Sequence, residues 1–157
     1  MPELVEANAR EDVSRARGIP WLKVVREGTL APRAARIREP QDVVNLLGAQ
    51  AAGEETEVFW ALLLDSQSQV RGAVEVSRGL LNCSLVHPRE VFRLAVMYGA
   101  AVIVVHNHPS GGPTPSAEDR AVTRQLVEAG RPLDVPVYDH GILAGDRWVS
   151  FASAGLL

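Results

Sequence analysis

Sulfur chemistry is nearly absent from this chain, which has a single cysteine, Cys83, among 157 residues. Cys83 cannot close an internal disulfide, and it cannot supply the several thiolates of a cysteine-based zinc site. Aromatic residues are scarce at 5%, too few for the stacking platform that holds single-stranded nucleic acid. No sign of charge dominates: 16 basic residues face 19 acidic ones, for a net charge of −3. A protein that wraps nucleic acid usually carries a strongly basic face, so net charge does not support DNA as the main partner, although a local basic patch stays compatible. Long apolar runs are missing too. The longest, Ala100 to Val105, has the length of a strand and falls far short of the ~20 residues that span a bilayer. The opening stretch MPELVEANAREDVSRARG has no apolar core of signal-peptide length. With one thiol and no membrane segment, a cytoplasmic protein without membrane contact is the expectation.

What is present is enough for one folded domain. A hydrophobic fraction of 46% in 17.0 kDa can bury a core, which excludes wholesale disorder. Residues 1–37 read as an N-terminal extension and residues 38–157 as the domain. The first forty residues hold eight of the sixteen Lys and Arg side chains against six acids. Their only apolar cluster is Trp21, Leu22, Val24 and Val25. They read as an arm packed in part on the domain, or equally as a surface tail.

From Pro40 the pattern becomes regular. Pro40 and the following QDVVNLLGAQ predict a short helix. Glu57 to Leu64 is a nearly continuous apolar run, as in a strand buried on both faces. Asp65 to Ser68 reads as a turn into a second strand, Val70 to Val76. His87-Pro88 opens a helix that stops at Gly99. Ala101 to Val105 is a buried strand, and Ser116 to Ala129 is a helix ending at Gly130. Val135 to Asp139 and Trp148 to Phe151 read as short strands flanking a GILAGD turn. Alternating strands and helices predict an α+β fold, a mixed β-sheet sandwiched by helices. A phosphate-binding loop is missing, because Gly111-Gly112 lacks the required spacing and no lysine follows. Trp60 and Trp148 are assigned to the core, and Cys83 to a buried filler.

The chemistry concentrates between His106 and Asp119. His106 and His108, two apart at a strand end, project to one side. Pro109 turns the chain away, and it re-enters a helix at Ser116, which places Asp119 in the first helical turn. Two imidazoles and a carboxylate meeting there suffice for a catalytic zinc site, which takes about three protein ligands and keeps a position for water. Ser116-x-x-Asp119 also fits an N-terminal capping box, and the same residues can serve as cap and as site. A lone histidine here would most often be structural; the combination favours the metal.

The pattern His106-x-His108-Pro109, then Ser116 and Asp119, resembles the JAMM signature of MPN-type metalloproteins. More specifically, LVHPREVF (Leu85 to Phe92), HNHPSG (His106 to Gly111), PTPSAED (Pro113 to Asp119) and Asp139-His140 resemble the bacterial RadC family, whose name is tied to DNA repair. The similarity runs from about Arg38 to the C-terminus. Two features depart from the family pattern: the first forty residues read as too short and too poorly patterned for the N-terminal helix-hairpin-helix region of full-length members, and Gly112 stands where an acid is common. The resemblance implies an MPN fold, related in architecture to cytidine deaminases, and one zinc ion per chain held by His106, His108 and Asp119. It implies a glutamate at the start of the first long strand as general acid/base, a position held by Glu57. It also implies Ser116 as donor to a developing oxyanion. Glu54 and Glu55 adjoin Glu57, so an acidic surface turn is the plain alternative. Glu75 and Glu90 are the rival bases, one on an outward strand position and one in a first helical turn. His87 reads as a residue that starts a helix, and His140 as a structural histidine in preference to one that orients a group near the site.

The function so implied is zinc-dependent hydrolysis of an amide, peptide or isopeptide, in an unknown protein or peptide substrate. The alternative is a DNA-repair accessory module or a metal-dependent nuclease. Many nucleases use two metals, and ligands for only one are present. Deaminase chemistry is set aside, because it needs H-x-E and a downstream P-C-x-x-C.

Overall fold

A computed structural model describes residues 24, 25, 27–31, 34–79 and 86–157. Cys83, Trp21 and Leu22 lie outside the described residues. Eight elements follow in the order α1 (Pro40–Ala52), β1 (Val58–Leu64), β2 (Val70–Arg78), α2 (Pro88–Tyr98), β3 (Ala101–Asn107), α3 (Ala117–Gly130), β4 (Val137–Ala144) and β5 (Arg147–Ser150). The strands form one sheet in the order β2-β1-β3-β4-β5. β3 and β4 are parallel, joined by the α3 crossover, and the other pairs are antiparallel. The fold is therefore the mixed, helix-covered α+β sheet that the sequence predicts.

The central strands β1 and β3 are buried along their whole length, and alternation divides their side chains between two cores. Trp60, Leu62, Leu64, Ile103 and Val105 pack toward Val43, Leu47 and Ala51 of α1. Phe59, Ala61, Leu63, Val102 and Val104 pack toward α2 and α3, against Val91, Phe92, Val122 and Leu126. Trp60 is buried and the half-buried Trp148 packs on the α1 side. Odd positions of β1 and even positions of β3 thus share the α3 side of the sheet. That parity decides where the functional side chains stand.

Local chemistry explains the helix starts. Glu39 and Asp42 form a capping box at α1, and backbone amides of Arg38 and Glu39 lower the Asp42 pKa. His87 caps α2, its Nδ1 accepting from the Arg89 amide at 3.0 Å. In the β1–β2 turn the Asp65 carboxylate accepts from the Gln67 and Gln69 amides. One expectation needs correction. GILA is not a turn: Gly141 to Ala144 continue β4, which pairs with β3 on one side and β5 on the other. Only Gly145 and Asp146 make the turn, with Gly145 at φ +63°, a left-handed conformation that favours glycine. Of the predicted extension, Ala35 to Ile37 lie along the start of β2, where the Val70 amide donates to Ala35 at 2.8 Å and the Ile37 amide to Ser68 at 2.9 Å.

Candidate metal centre

β3 ends with His106 and Asn107 in register with Ile142 and Leu143 of β4. His108 has left the strand, yet its amide still donates to the Leu143 carbonyl at 2.8 Å. Both histidines therefore present their rings on the α3 side. The following loop doubles back at once. The Gly111 amide donates to the His108 carbonyl at 3.0 Å, and Gly111 adopts φ +88°. This turn carries the Gly112 carbonyl to 2.6 Å from His108 Nδ1. A carbonyl only accepts, so Nδ1 carries the proton and His108 turns Nε2 toward the site. Arg147 braces the same loop by donating to the Gly111 carbonyl at 2.7 Å. Gly112 contributes only its backbone, and space is open where a side chain would begin. The departure from the family pattern at this position leaves the site geometry untouched.

Asp119 enters from the first turn of α3. Its Oδ2 accepts from the Ser116 amide at 2.7 Å, while Ser116 Oγ accepts from the Asp119 amide at 3.0 Å. The capping box and the site are thus one structure. The other carboxylate oxygen, Oδ1, lies 3.2 Å from His106 Nε2, and Oδ2 lies 3.5 Å from His108 Nε2. The two Nε2 atoms are 2.9 Å apart. His106 and Asp119 are buried, at 0% and 6% exposure, and His108 is half-buried. Ligands about 2.0–2.1 Å from a tetrahedral zinc stand roughly 3.3 Å from one another. The three contacts bracket that spacing, and two imidazoles with one carboxylate are a donor set suited to zinc. Among the described residues these three form the group able to hold a metal.

The electrostatics fit a cation site. Burial pushes the Asp119 carboxyl up, but the His106 and His108 rings and the Ser116 amide beside it outweigh it. They hold Asp119 well below the usual carboxylate range. Hydrogen bonding to Asp119 raises the His108 pKa, with burial opposing and the Gly112 carbonyl and the Glu57 charge adding to the rise. Burial drives His140 well below the ordinary histidine value, and the neighbouring His106 adds to the drop.

Glu57 stands one residue before β1, half-buried. Phe59 pairs with His106 across the two strands. The Glu57 charge adds to the rise in the His108 pKa, so the two side chains lie near one another. Two other features place it. Its carbonyl accepts from the Gly79 amide at 2.8 Å, and Asn107 grips the residues on either side of it. Asn107 Oδ1 accepts from the Val58 amide at 2.7 Å, and Nδ2 donates to the Thr56 carbonyl at 2.9 Å. The rival glutamates are elsewhere engaged: Glu75 pairs with Arg78 at 2.8 Å and Glu90 with Arg93 at 3.4 Å. Glu54, beside the site's own strand, is held by Arg78, which lowers its pKa. Ser116 is exposed at the mouth of α3. Its oxygen serves the cap as acceptor, so its proton stays available, and capping does not compete with donation.

Two further polar residues, His140 and Thr123, stand behind the site. His106 Nδ1 lies 2.8 Å from His140 Nε2, and His140 Nδ1 lies 2.6 Å from Thr123 Oγ1. The Thr123 hydroxyl donates to the Asp119 carbonyl at 2.7 Å. Asp139 stands apart from the site. Its carboxylate accepts from the His140 and Ala152 amides at 2.7 and 2.9 Å and from Ser150 Oγ at 2.5 Å, tying β4 to the end of β5.

A buried His-His-Asp group at a strand end, faced by a helix N-terminus, is the arrangement of a JAB-type domain. Residues 37–156 match the RadC-like JAB domain family, and the chain belongs to it. A UPF0758 protein of Geobacter sulfurreducens is 48% identical over 123 residues, covering 78% of this chain and 54% of that protein. One from Desulforamulus reducens is 40% identical over 159 residues, covering 94% of this chain and 70% of the relative. One from Methanosarcina mazei is 45% identical over 123 residues, covering 78% and 54%. The chain spans about half the length of most of these relatives. Among the described residues, no helix is long and apolar enough to cross a membrane.

Proposed function

We propose that this chain is a zinc-dependent hydrolase of amide bonds, peptide or isopeptide, holding one zinc ion through His106, His108 and Asp119. The observation that carries the reading is the grouping of the His106, His108 and Asp119 donor atoms, with a Glu57 charge near enough to help raise the His108 pKa. A zinc ion in such a site polarises a carbonyl and brings the pKa of water toward ~7. Glu57 takes a proton from the attacking water and returns it to the leaving nitrogen, a role that contributes roughly 10²–10⁴ in rate. The Ser116 hydroxyl donates to the oxyanion as the carbonyl becomes tetrahedral. Asp119 stays ionised throughout, since the rings and the amide beside it favour its charged form. A protein or peptide is the expected substrate.

The test is elemental analysis of tag-free protein together with turnover of a pool of linear and isopeptide-linked peptides. The parent and Glu57→Gln are expected to hold one zinc per chain, and His108→Ala to lose it. Glu57→Gln is expected to lose at least 100-fold in peptide turnover. No zinc after attempted reloading sinks the hydrolase reading. Zinc with DNA cleavage or retention and no peptide turnover transfers it to the DNA-associated alternative.

A further inference from the structure

A chain of hydrogen bonds runs behind the metal centre, and it has only one consistent direction. It begins at the Asp119 carbonyl, which can only accept. The Thr123 hydroxyl donates its single proton there at 2.7 Å. Thr123 Oγ1 therefore has only lone pairs for its second partner, His140 Nδ1, at 2.6 Å, so His140 must carry its proton on Nδ1. His140 is fully buried and packed between Phe59 and Phe151, with ring centroids at 5.5 and 4.6 Å. A neutral imidazole with its proton on Nδ1 has Nε2 as its acceptor. Its partner, His106 Nδ1 at 2.8 Å, must then be the donor.

We infer that His140 and Thr123 are positioning residues. Through this relay they fix the His106 tautomer, with the proton on Nδ1 and the Nε2 lone pair directed at His108 and Asp119. The inference rests on the metal reading proposed above for its functional meaning. Its structural part stands independently. His108 reaches the same state by another route, through the Gly112 carbonyl. With both rings so fixed, two ring nitrogens and the two carboxylate oxygens of Asp119 face one another, with contacts of 2.9, 3.2 and 3.5 Å. Such a cluster needs a cation or a proton between its members. The relay also returns to its own start, because Asp119 supplies both the carboxylate at the site and the carbonyl that anchors Thr123. Helix α3 therefore sets the carboxylate and the ring orientation together. Partners of this kind around metal-binding histidines typically govern 10–100-fold in metal affinity.

The experiment pairs two measurements on metal-free, ¹⁵N-histidine-labelled protein. Long-range ¹H–¹⁵N correlation spectra at pH 8 read the tautomers, and competition with a chromophoric chelator reads the zinc affinity. The parent is expected to show His106 and His140 both protonated on Nδ1. Thr123→Val removes the acceptor without changing shape, and is expected to lose the His140 Nδ1 pattern and 10–100-fold in zinc affinity. Thr123→Ser keeps the hydroxyl and is expected to stay within about threefold of the parent. His140→Gln, whose amide oxygen can still accept from His106, is expected to retain more affinity than His140→Phe. A parent spectrum with His106 protonated on Nε2 overturns the relay, whether or not the valine variant folds. Equal zinc affinity in Thr123→Val and Thr123→Ser does the same. Failure of the parent to bind zinc while its spectrum shows the expected tautomers refutes the metal reading and upholds the relay.

Discussion

One amide, that of Asn107, closes the ladder where β1 and β3 run out. The Val58 amide it satisfies belongs to a completely buried residue, so no water can replace the carbonyl oxygen of Asn107. Truncation by Asn107→Ala leaves that donor unpaired, and a buried unsatisfied amide costs about 1–3 kcal/mol. Urea unfolding is expected to show a loss in that range, with zinc content at the parent level because Asn107 touches none of the three donors. A variant with wild-type stability would show that the Val58 amide finds another partner. Asn107 was not legible in the sequence, where it reads as the spacer in His-x-His. Its bonds reach residues 49 and 51 positions earlier. The same holds for His140, which meets its partner across 34 positions and reads, from its neighbours alone, as merely structural. His106, His108, Ser116 and Asp119 were legible because their spacing is local. A strand end and a helix start, separated by one loop, are enough to bring them together.

At the scale of elements, two helical glycines have opposite reasons for being there. Gly130 ends α3, where a Cβ would lie 2.3 Å from the Val135 carbonyl oxygen and 3.1 Å from the Phe92 ring. The first of these is backbone and cannot swing aside. Gly130→Ala therefore separates α3 from α2 and from the approach to β4, and overpacking of this kind typically costs 1–3 kcal/mol. The gain in helix propensity, at most ~1 kcal/mol, does not offset it. Gly48 of α1 is different, since its Cβ would meet only Val44 Cγ1 at 3.7 Å. Gly48→Ala is expected to stabilise by roughly 0.5–1 kcal/mol. Thermal melts of the two variants should move in opposite directions, and a shared direction would contradict this reading of α3. Most elements were legible because their apolar periods are clean: β1 and β3 as buried runs, α2 and α3 as capped helices. Of β4 only the first part was legible, because Gly141 suggests a turn. Inside the sheet, Gly141 lies between Val105 on β3 and Ser150 on β5, and ladder pairing on both sides overrides the local preference for a bend.

For the whole molecule, the ionisable groups at the site predict how folding and metal binding respond to pH. In the metal-free protein His108 has a raised pKa. Its contribution is complete below the unfolded value of ~6.5 and is lost as pH rises through the folded value. His140 acts in the opposite sense. Its folded pKa is lowered, so stability falls as pH drops below ~6.5 and the unfolded chain gains a proton that the folded chain refuses. Asp119, with a lowered pKa, contributes fully above ~3.9 and loses that contribution as pH falls further. The metal-free protein is thus expected to be most stable near pH 6.5, declining on the alkaline side through His108 and on the acid side through His140 and then Asp119. On the proposed reading, zinc changes only one of these slopes. It needs the His108 Nε2 lone pair, which a proton holds at low pH, so zinc binds more tightly as pH rises. At a free concentration of about 100 Kd a bound metal adds ~2.7 kcal/mol, near 5–10 °C in a domain of this size. Melting curves at pH 5, 6.5 and 8, with and without zinc, should show the increment growing with pH and the alkaline decline flattened or reversed. An increment independent of pH would mean that the metal does not compete with a proton at His108, and would remove His108 from the ligand set.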